Sequence, residues 1–143
     1  MKTNFFWKQF ISINDKLIVC SEKGRKYIAI NKGEKDIIKI HVDNELITSG
    51  ERCDYALNIC NEKKVYLIEL KGTEKDHAYA QIIATYEKIK DECKEYEFYP
   101  RIVISKDSYP RIKGSNEKRF MQIQKRGMMK SVIVRCNVLE ESI

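Results

Sequence analysis

The segment Val65-Tyr66-Leu67-Ile68-Glu69-Leu70-Lys71 constrains the fold more than any other stretch of the chain. In a strand, side chains alternate, so Val65, Leu67, Glu69 and Lys71 share one face while Tyr66, Ile68 and Leu70 share the other. Both faces are apolar as far as Glu69, which predicts a central strand covered on both sides. Ionised groups at the end of such a strand are costly unless they are paired or bound to a metal. The chain must therefore build a layered sheet, and the end of this strand is where chemistry is expected.

The flanking sequence supplies the layers. After Gly72 the pattern turns helical, with Tyr79, Ile82, Ile83, Tyr86, Ile89 and Cys93 recurring at three- and four-residue spacing. Thr73 and Asp76 fit a capping box that opens this helix. Upstream, residues 26–30 and 36–42 flank the turn Asn31-Lys32-Gly33-Glu34 and read as one hairpin, and residues 53–60 and 64–71 read as a second. Residues 100–105 form an apolar run that follows the helix and returns parallel to the sheet. Residues 115–126 read as a more polar helix stopped by Gly127, and 130–139 as a final strand. The expected fold is α/β (α+β): one domain over residues 1–143, a mixed β-sheet flanked by helices. No repeat or linker divides it. Phe5, Phe6, Trp7 and Phe10 form either a short helix or an aromatic plug, with Trp7 packed in the core.

With 43% hydrophobic and 34% charged residues, the composition is that of a folding, soluble chain. It has no run of about 20 apolar residues to span a membrane and no secretory leader in residues 1–10, so a cytoplasmic location is expected. The five cysteines (20, 53, 60, 93 and 136) have no C-x-x-C spacing and read as reduced, packed residues. Charge is uneven: residues 101–135 hold ten bases against two acids in a chain of net charge +6. Such an excess suits binding to a phosphate backbone.

Asp54 enters from the partner arm of the second hairpin, in a similarly apolar setting. If paired residue numbers sum to 123 or 125, Asp54 lies across from Glu69 or Lys71; a sum of 124 turns it away. Two converging carboxylates repel unless a cation sits between them, and oxygen donors select a hard ion such as Mg²⁺ or Mn²⁺.

Asp54, fourteen intervening residues, then Glu69-Leu70-Lys71 ahead of a helix resembles the PD-(D/E)xK phosphodiesterase, or restriction-endonuclease-like, superfamily, over residues 51 to about 105. The resemblance implies a Mg²⁺- or Mn²⁺-dependent nuclease in which Asp54, Glu69 and the Leu70 carbonyl bind metal and Lys71 orients the attacking water. Gln81 matches the glutamine that RecB-like nucleases carry on the following helix, and Tyr86 follows one residue later than their tyrosine. Cys53 stands at the motif's proline, Gln9 occupies the segment where many members place a further acid, and Glu51 or Glu45 are the candidates to replace that acid. His77 and Lys88 share a stripe with Gln81 that faces either the site or water, with water the favoured expectation for both. Lys113, Lys118, Arg119, Lys125 and Arg126 would track the backbone of nucleic acid, DNA rather than RNA, without reading sequence. Size and charge also resemble the archaeal Holliday-junction resolvases, which work as dimers, so a homodimer is a possible state. The competing expectation is a silent nucleic-acid-binding or accessory protein in which Asp54, Glu69 and Lys71 form a salt-bridge cluster.

Overall fold

In the computed structural model, nine strands and two α-helices follow one another among the described residues, with a 3₁₀ turn at Lys90–Cys93: β1 (Ser12–Ile13), β2 (Leu17–Glu22), β3 (Arg25–Ile30), β4 (Ile37–His41), β5 (Tyr55–Ile59), β6 (Lys64–Lys71), α1 (Lys75–Ile89), β7 (Glu97–Ile104), α2 (Ser115–Lys125), β8 (Ile133–Cys136) and β9 (Val138–Ser142). The structure describes residues 7, 10–42, 46–47, 50–71, 74–105, 113–127 and 129–143, with Lys71 described by its backbone alone. The expectations for Phe5, Phe6, Gln9, Glu45, Gly72 and Thr73 lie outside the described residues.

Two sheets form. The larger is mixed, in the order β1-β4-β5-β6-β7-β8, and the smaller runs β2-β3-β9. β6 sits inside the larger sheet, antiparallel to β5 and parallel to β7. Its alternation sorts the core. Val65 and Leu67 pack under the helices with Ile82, Ile83 and Phe120, while Tyr66, Ile68 and Leu70 pack on the small sheet's Ile18, Tyr27 and Ala29. The result is three layers, helices over a mixed sheet over a small sheet, an α+β arrangement. The buried face of α1 is Ala78, Tyr79, Ile82, Ile83, Thr85, Tyr86 and Ile89, close to its expected stripe. The 53–60/64–71 hairpin and the parallel return of β7 both match the sequence reading.

Three local expectations are corrected. The first is the hairpin of residues 26–30 and 36–42, which does not form: β3 pairs with β2 and β9, and β4 with β1 and β5. Ile37 and Ile38 are both buried, so β4 needs cover on both faces and joins the large sheet; β3 buries only Tyr27 and Ala29. Between them Asn31 is wholly buried and steers the chain across, donating through Nδ2 to the carbonyls of Asp15 and Lys35 and accepting from the Lys35 N–H. The partner that β3 does take, β2, is reached through Lys23-Gly24, both at positive φ (45° and 87°), the two-residue turn that suits the twist of a hairpin.

The second is the single strand 130–139. It breaks at Asn137, whose φ of +64° ends β8 in one sheet and starts β9 in the other. Asn137 donates its N–H to Ile104 and accepts from the Lys26 N–H, so one residue is bonded to both sheets.

The third is the capping box. The N-cap of α1 is Glu74, with no side-chain cap bond. Asp76 instead caps α2, accepting from the N–H groups of Asn116 and Glu117 at 3.4 and 2.9 Å. A carboxylate suits the positive end of that helix, and a Cβ on Gly114 would run into it.

Between the sheets, Arg101 (6% exposed) donates to Glu141 through Nε at 2.6 Å and Nη2 at 3.2 Å. Tyr27 donates its hydroxyl to the same carboxylate at 2.7 Å. Arg101 is thereby withdrawn from the basic surface with which the sequence grouped it. Cys20, Cys53 and Cys93 are buried, Cys60 and Cys136 half-buried, and all five are free thiols. No helix among the described residues is long and apolar enough to cross a membrane.

Candidate functional site

The site begins where β5 stops being regular. Tyr55 pairs with Ile68, so paired numbers sum to 123, and the regular pairing ends there, one residue short of Asp54. A residue within a strand turns its N–H and C=O toward the same neighbour. Asp54 divides them: its N–H donates to Ile68 of β6 at 3.1 Å, and its C=O accepts from Val42, just past β4, at 2.9 Å. Among the described residues, this bend leaves Leu70 at the end of β6 without a main-chain partner on the β5 side. Side chains take over, the Leu70 N–H donating to Asp54 Oδ2 at 2.8 Å and Arg25 Nε donating to the Leu70 carbonyl at 3.1 Å.

The Leu70 carbonyl, which the resemblance implies as a metal ligand, thus accepts from a guanidinium through one of its two lone pairs.

Glu69 is 2% exposed and lies within hydrogen-bonding reach of Asp54. Burial pushes the Asp54 carboxyl above the ordinary aspartate range; the Leu70 amide opposes the shift, the charge of Glu22 adds to it, and Glu69 and His41 oppose it more weakly. Lys71 closes β6 two residues beyond Glu69, its backbone paired with Ile104, and its side chain lies outside what the structure describes.

A cleft of about 310 Å³ opens beside Asp54, lined also by Gly50, Glu51, Arg52, Cys53, His77 and Gln81. α1 supplies the last two. Gln81 Nε2 donates to the Arg52 carbonyl at 3.1 Å, and its Oε1 is buried with no hydrogen-bond partner among the described residues. His77, on the stripe that could face either the site or water, lines the cleft, with Nε2 3.0 Å from Glu51 and Nδ1 3.7 Å from Glu74. Tyr86 is a core residue, edge-on to Phe98 at 5.0 Å.

Sequence reasoning missed Thr85. Its hydroxyl donates to the Gln81 carbonyl at 3.0 Å and accepts from the Cys53 N–H at 2.7 Å, so α1 holds the chain one residue before the Asp54 bend. A hydroxyl inside an otherwise apolar helical stripe was the available signal. Arg25 and Glu22 carried no comparable signal, because only the stacking of the small sheet on the large one brings them here.

Lys113, Lys118, Arg119, Lys125 and Arg126 are all exposed, before, along and just after α2. Lys106 and Arg111 lie outside the described residues.

Two carboxyls within hydrogen-bonding reach of each other, one of them lining the cleft, are a hard-oxygen donor set and fit a divalent cation of the Mg²⁺ type, which is held by one or two carboxylates and keeps much of its water. They do not make a complete protein cage: among the described residues, no group of three or more His, Cys, Asp or Glu side chains is arranged to hold a metal. No family model matches the chain, and no curated protein or solved structure matches it either.

Proposed function

We propose that this protein is a Mg²⁺- or Mn²⁺-dependent nuclease with a restriction-endonuclease-like fold, hydrolysing phosphodiester bonds of DNA in a backbone- or structure-directed way. The observation that carries the reading is the approach of the Asp54 and Glu69 carboxyls to hydrogen-bonding reach at the bend before β5, with Asp54 lining an open cleft. Two acidic groups brought together with little solvent share a proton or a cation. In this reading Asp54 and Glu69 hold the ion and exchange their shared proton for it. The ion, when bound, supplies a water of lowered pKa and neutralises charge on the phosphate. Lys71, two residues beyond Glu69 in β6, orients that water and stabilises the charge that develops at phosphorus. Gln81 offers its buried Oε1 as an acceptor within the cleft. The exposed bases of α2 and its flanks hold the nucleic-acid backbone without reading its sequence.

The test is incubation with Mg²⁺ or Mn²⁺ and supercoiled, linear, single-stranded and four-way-junction DNA, and RNA, beside Glu69→Ala and Lys71→Ala. Cleavage by wild type that both variants lose is the expected outcome. No cleavage of any substrate, or equal cleavage by the variants, would sink the proposal. The dimeric, junction-resolving form of the reading draws on β2, an edge strand that leaves Leu17 (57%) and Val19 (38%) exposed; sedimentation measures it.

A second reading rests on a different observation. Asp54 and Arg25 between them satisfy both main-chain groups of Leu70, a structural duty that needs no metal. Calorimetric titration separates the two readings: a metal site binds Mg²⁺ with proton release and loses it in Asp54→Ala, whereas a purely structural acid binds none.

A further inference from the structure

A second pocket lies on the same face of the large sheet but toward its other end. Asn58 is four residues along β5 from Asp54, roughly 13 Å at the rise of a strand. Its surroundings differ from those of the acid pair. The pocket holds about 270 Å³ and is lined by Trp7, Phe10, Ser12, Asn58 and Tyr96 with Ile38, Cys60 and Asn61, none of these described residues being charged.

Its walls are aromatic. The Trp7 and Tyr96 rings lie 6.1 Å apart, tilted by 34°. Trp7 is 2% exposed, with the Cys93 thiol close to its indole. At the base, Asn58 is 2% exposed and is engaged with the Tyr96 hydroxyl. Its Oδ1 is buried with no hydrogen-bond partner among the described residues. Buried polar atoms are nearly always satisfied, and one that is not, in the floor of an open pocket, marks a place for a donor from outside.

We propose that this pocket is a second binding site, for a single nucleobase that presents a ring N–H, as thymine, uracil and guanine do, with Asn58 Oδ1 as the acceptor. The volume suits one ring system, near the lower limit of about 300 Å³ for ligand sites. The aromatic walls suit a flat π-face, since base–aromatic stacking is favourable for any base. The neutral lining suits a base rather than a phosphate. This site does not rest on the nuclease reading, and its test involves no cleavage.

Trp7 is the only tryptophan of the chain, so its fluorescence reports on the pocket directly. Thymidine and guanosine are titrated into wild type in EDTA, beside N3-methylthymidine and N1-methylguanosine, which lack the ring N–H. The expected result is saturable quenching by at least one parent nucleoside, with its methylated form about tenfold weaker or more. Asn58→Leu and the pocket-filling Ser12→Phe should weaken the same signal while the far-ultraviolet dichroism stays that of wild type. No saturable response to either parent nucleoside, or equal responses to parent and methylated forms, overturns the proposal. That ligand-side comparison decides the matter even if neither variant folds.

Discussion

The Leu70 N–H donates to the Asp54 carboxylate at 2.8 Å, at a point where a continuing β5 would have offered a main-chain carbonyl. Asp54 is therefore both a strand terminator for its neighbour and one half of an acid pair. The two duties separate under substitution. Asp54→Asn keeps an acceptor for Leu70, whereas Asp54→Ala leaves a part-buried N–H unpaired, at a cost of about 1–3 kcal/mol. Urea denaturation without divalent cation should show the alanine variant clearly below the asparagine variant, and equal midpoints would remove the capping role.

The raised pKa of Asp54 fixes a pH dependence. Its folded value lies above its unfolded value, so the native state holds the proton more tightly. Stability from this group is present below the unfolded pKa and is lost as pH rises through the folded one. Compared with Asp54→Asn, metal-free wild type should lose relative stability going from acid toward neutral pH. A gap that moves the other way would place the carboxyl in a stabilising, charged state.

Thr85 ties α1 to the residue before the bend. In Thr85→Val the Cys53 N–H loses a 2.7 Å acceptor in a buried setting. A loss of roughly 1–3 kcal/mol is expected, together with weaker divalent-cation binding if the bend positions Asp54. Denaturation and calorimetry on one variant read both effects, and unchanged stability would show that the Cys53 N–H finds another acceptor.

Arg101 and Glu141 form a buried, two-pronged ion pair joining β7 to β9. Removing one partner strands the other charge, so Glu141→Leu alone should cost about 3–5 kcal/mol. Arg101→Met with Glu141→Leu together should cost less than Glu141→Leu by itself. A double-mutant cycle by chemical denaturation checks the sign.

Thiol reactivity tests the layering. Burial pushes Cys20 and Cys93 up to about 12, and Cys53 further still. An aromatic disulfide reagent should titrate Cys60 and Cys136 in the native protein and all five thiols only after unfolding. Rapid native reaction of Cys53 would mean that the segment before Asp54 opens readily.

The parts of this fold that were legible in the sequence are those set by local pattern. The two-faced apolar run of β6 announced a covered central strand, the 53–60/64–71 hairpin followed from its turn, and α1 followed from its spacing. Register was the open question, because a one-residue slip is invisible in composition; the observed sum of 123 depends on Lys63 at φ +53° within the 61–63 turn. What could not be read was the partition between sheets. β3 and β4 look like neighbours because they are close in sequence, but burial demand separates them. Asn137 likewise interrupts an apolar stretch that carries no proline or glycine. At the site, Glu69, Asp54 and Gln81 were named in advance, whereas Arg25 and Glu22 arrive only through the stacking of sheets.

The pairing of β3 with β9 sets an order of events during synthesis. More than a hundred residues separate Lys26 from its partner Val138, and the join is parallel, so no hairpin can bring them together. Chains leave the ribosome amino end first. The β2–β3 ribbon therefore exists for a long interval as a two-stranded piece, marginal alone, with Ile18, Cys20, Tyr27 and Ala29 waiting for cover and the outer edge of β3 open to any strand that meets it. The nascent chain is most exposed to mispairing in that window, and it closes when β9 docks and Glu141 reaches Arg101.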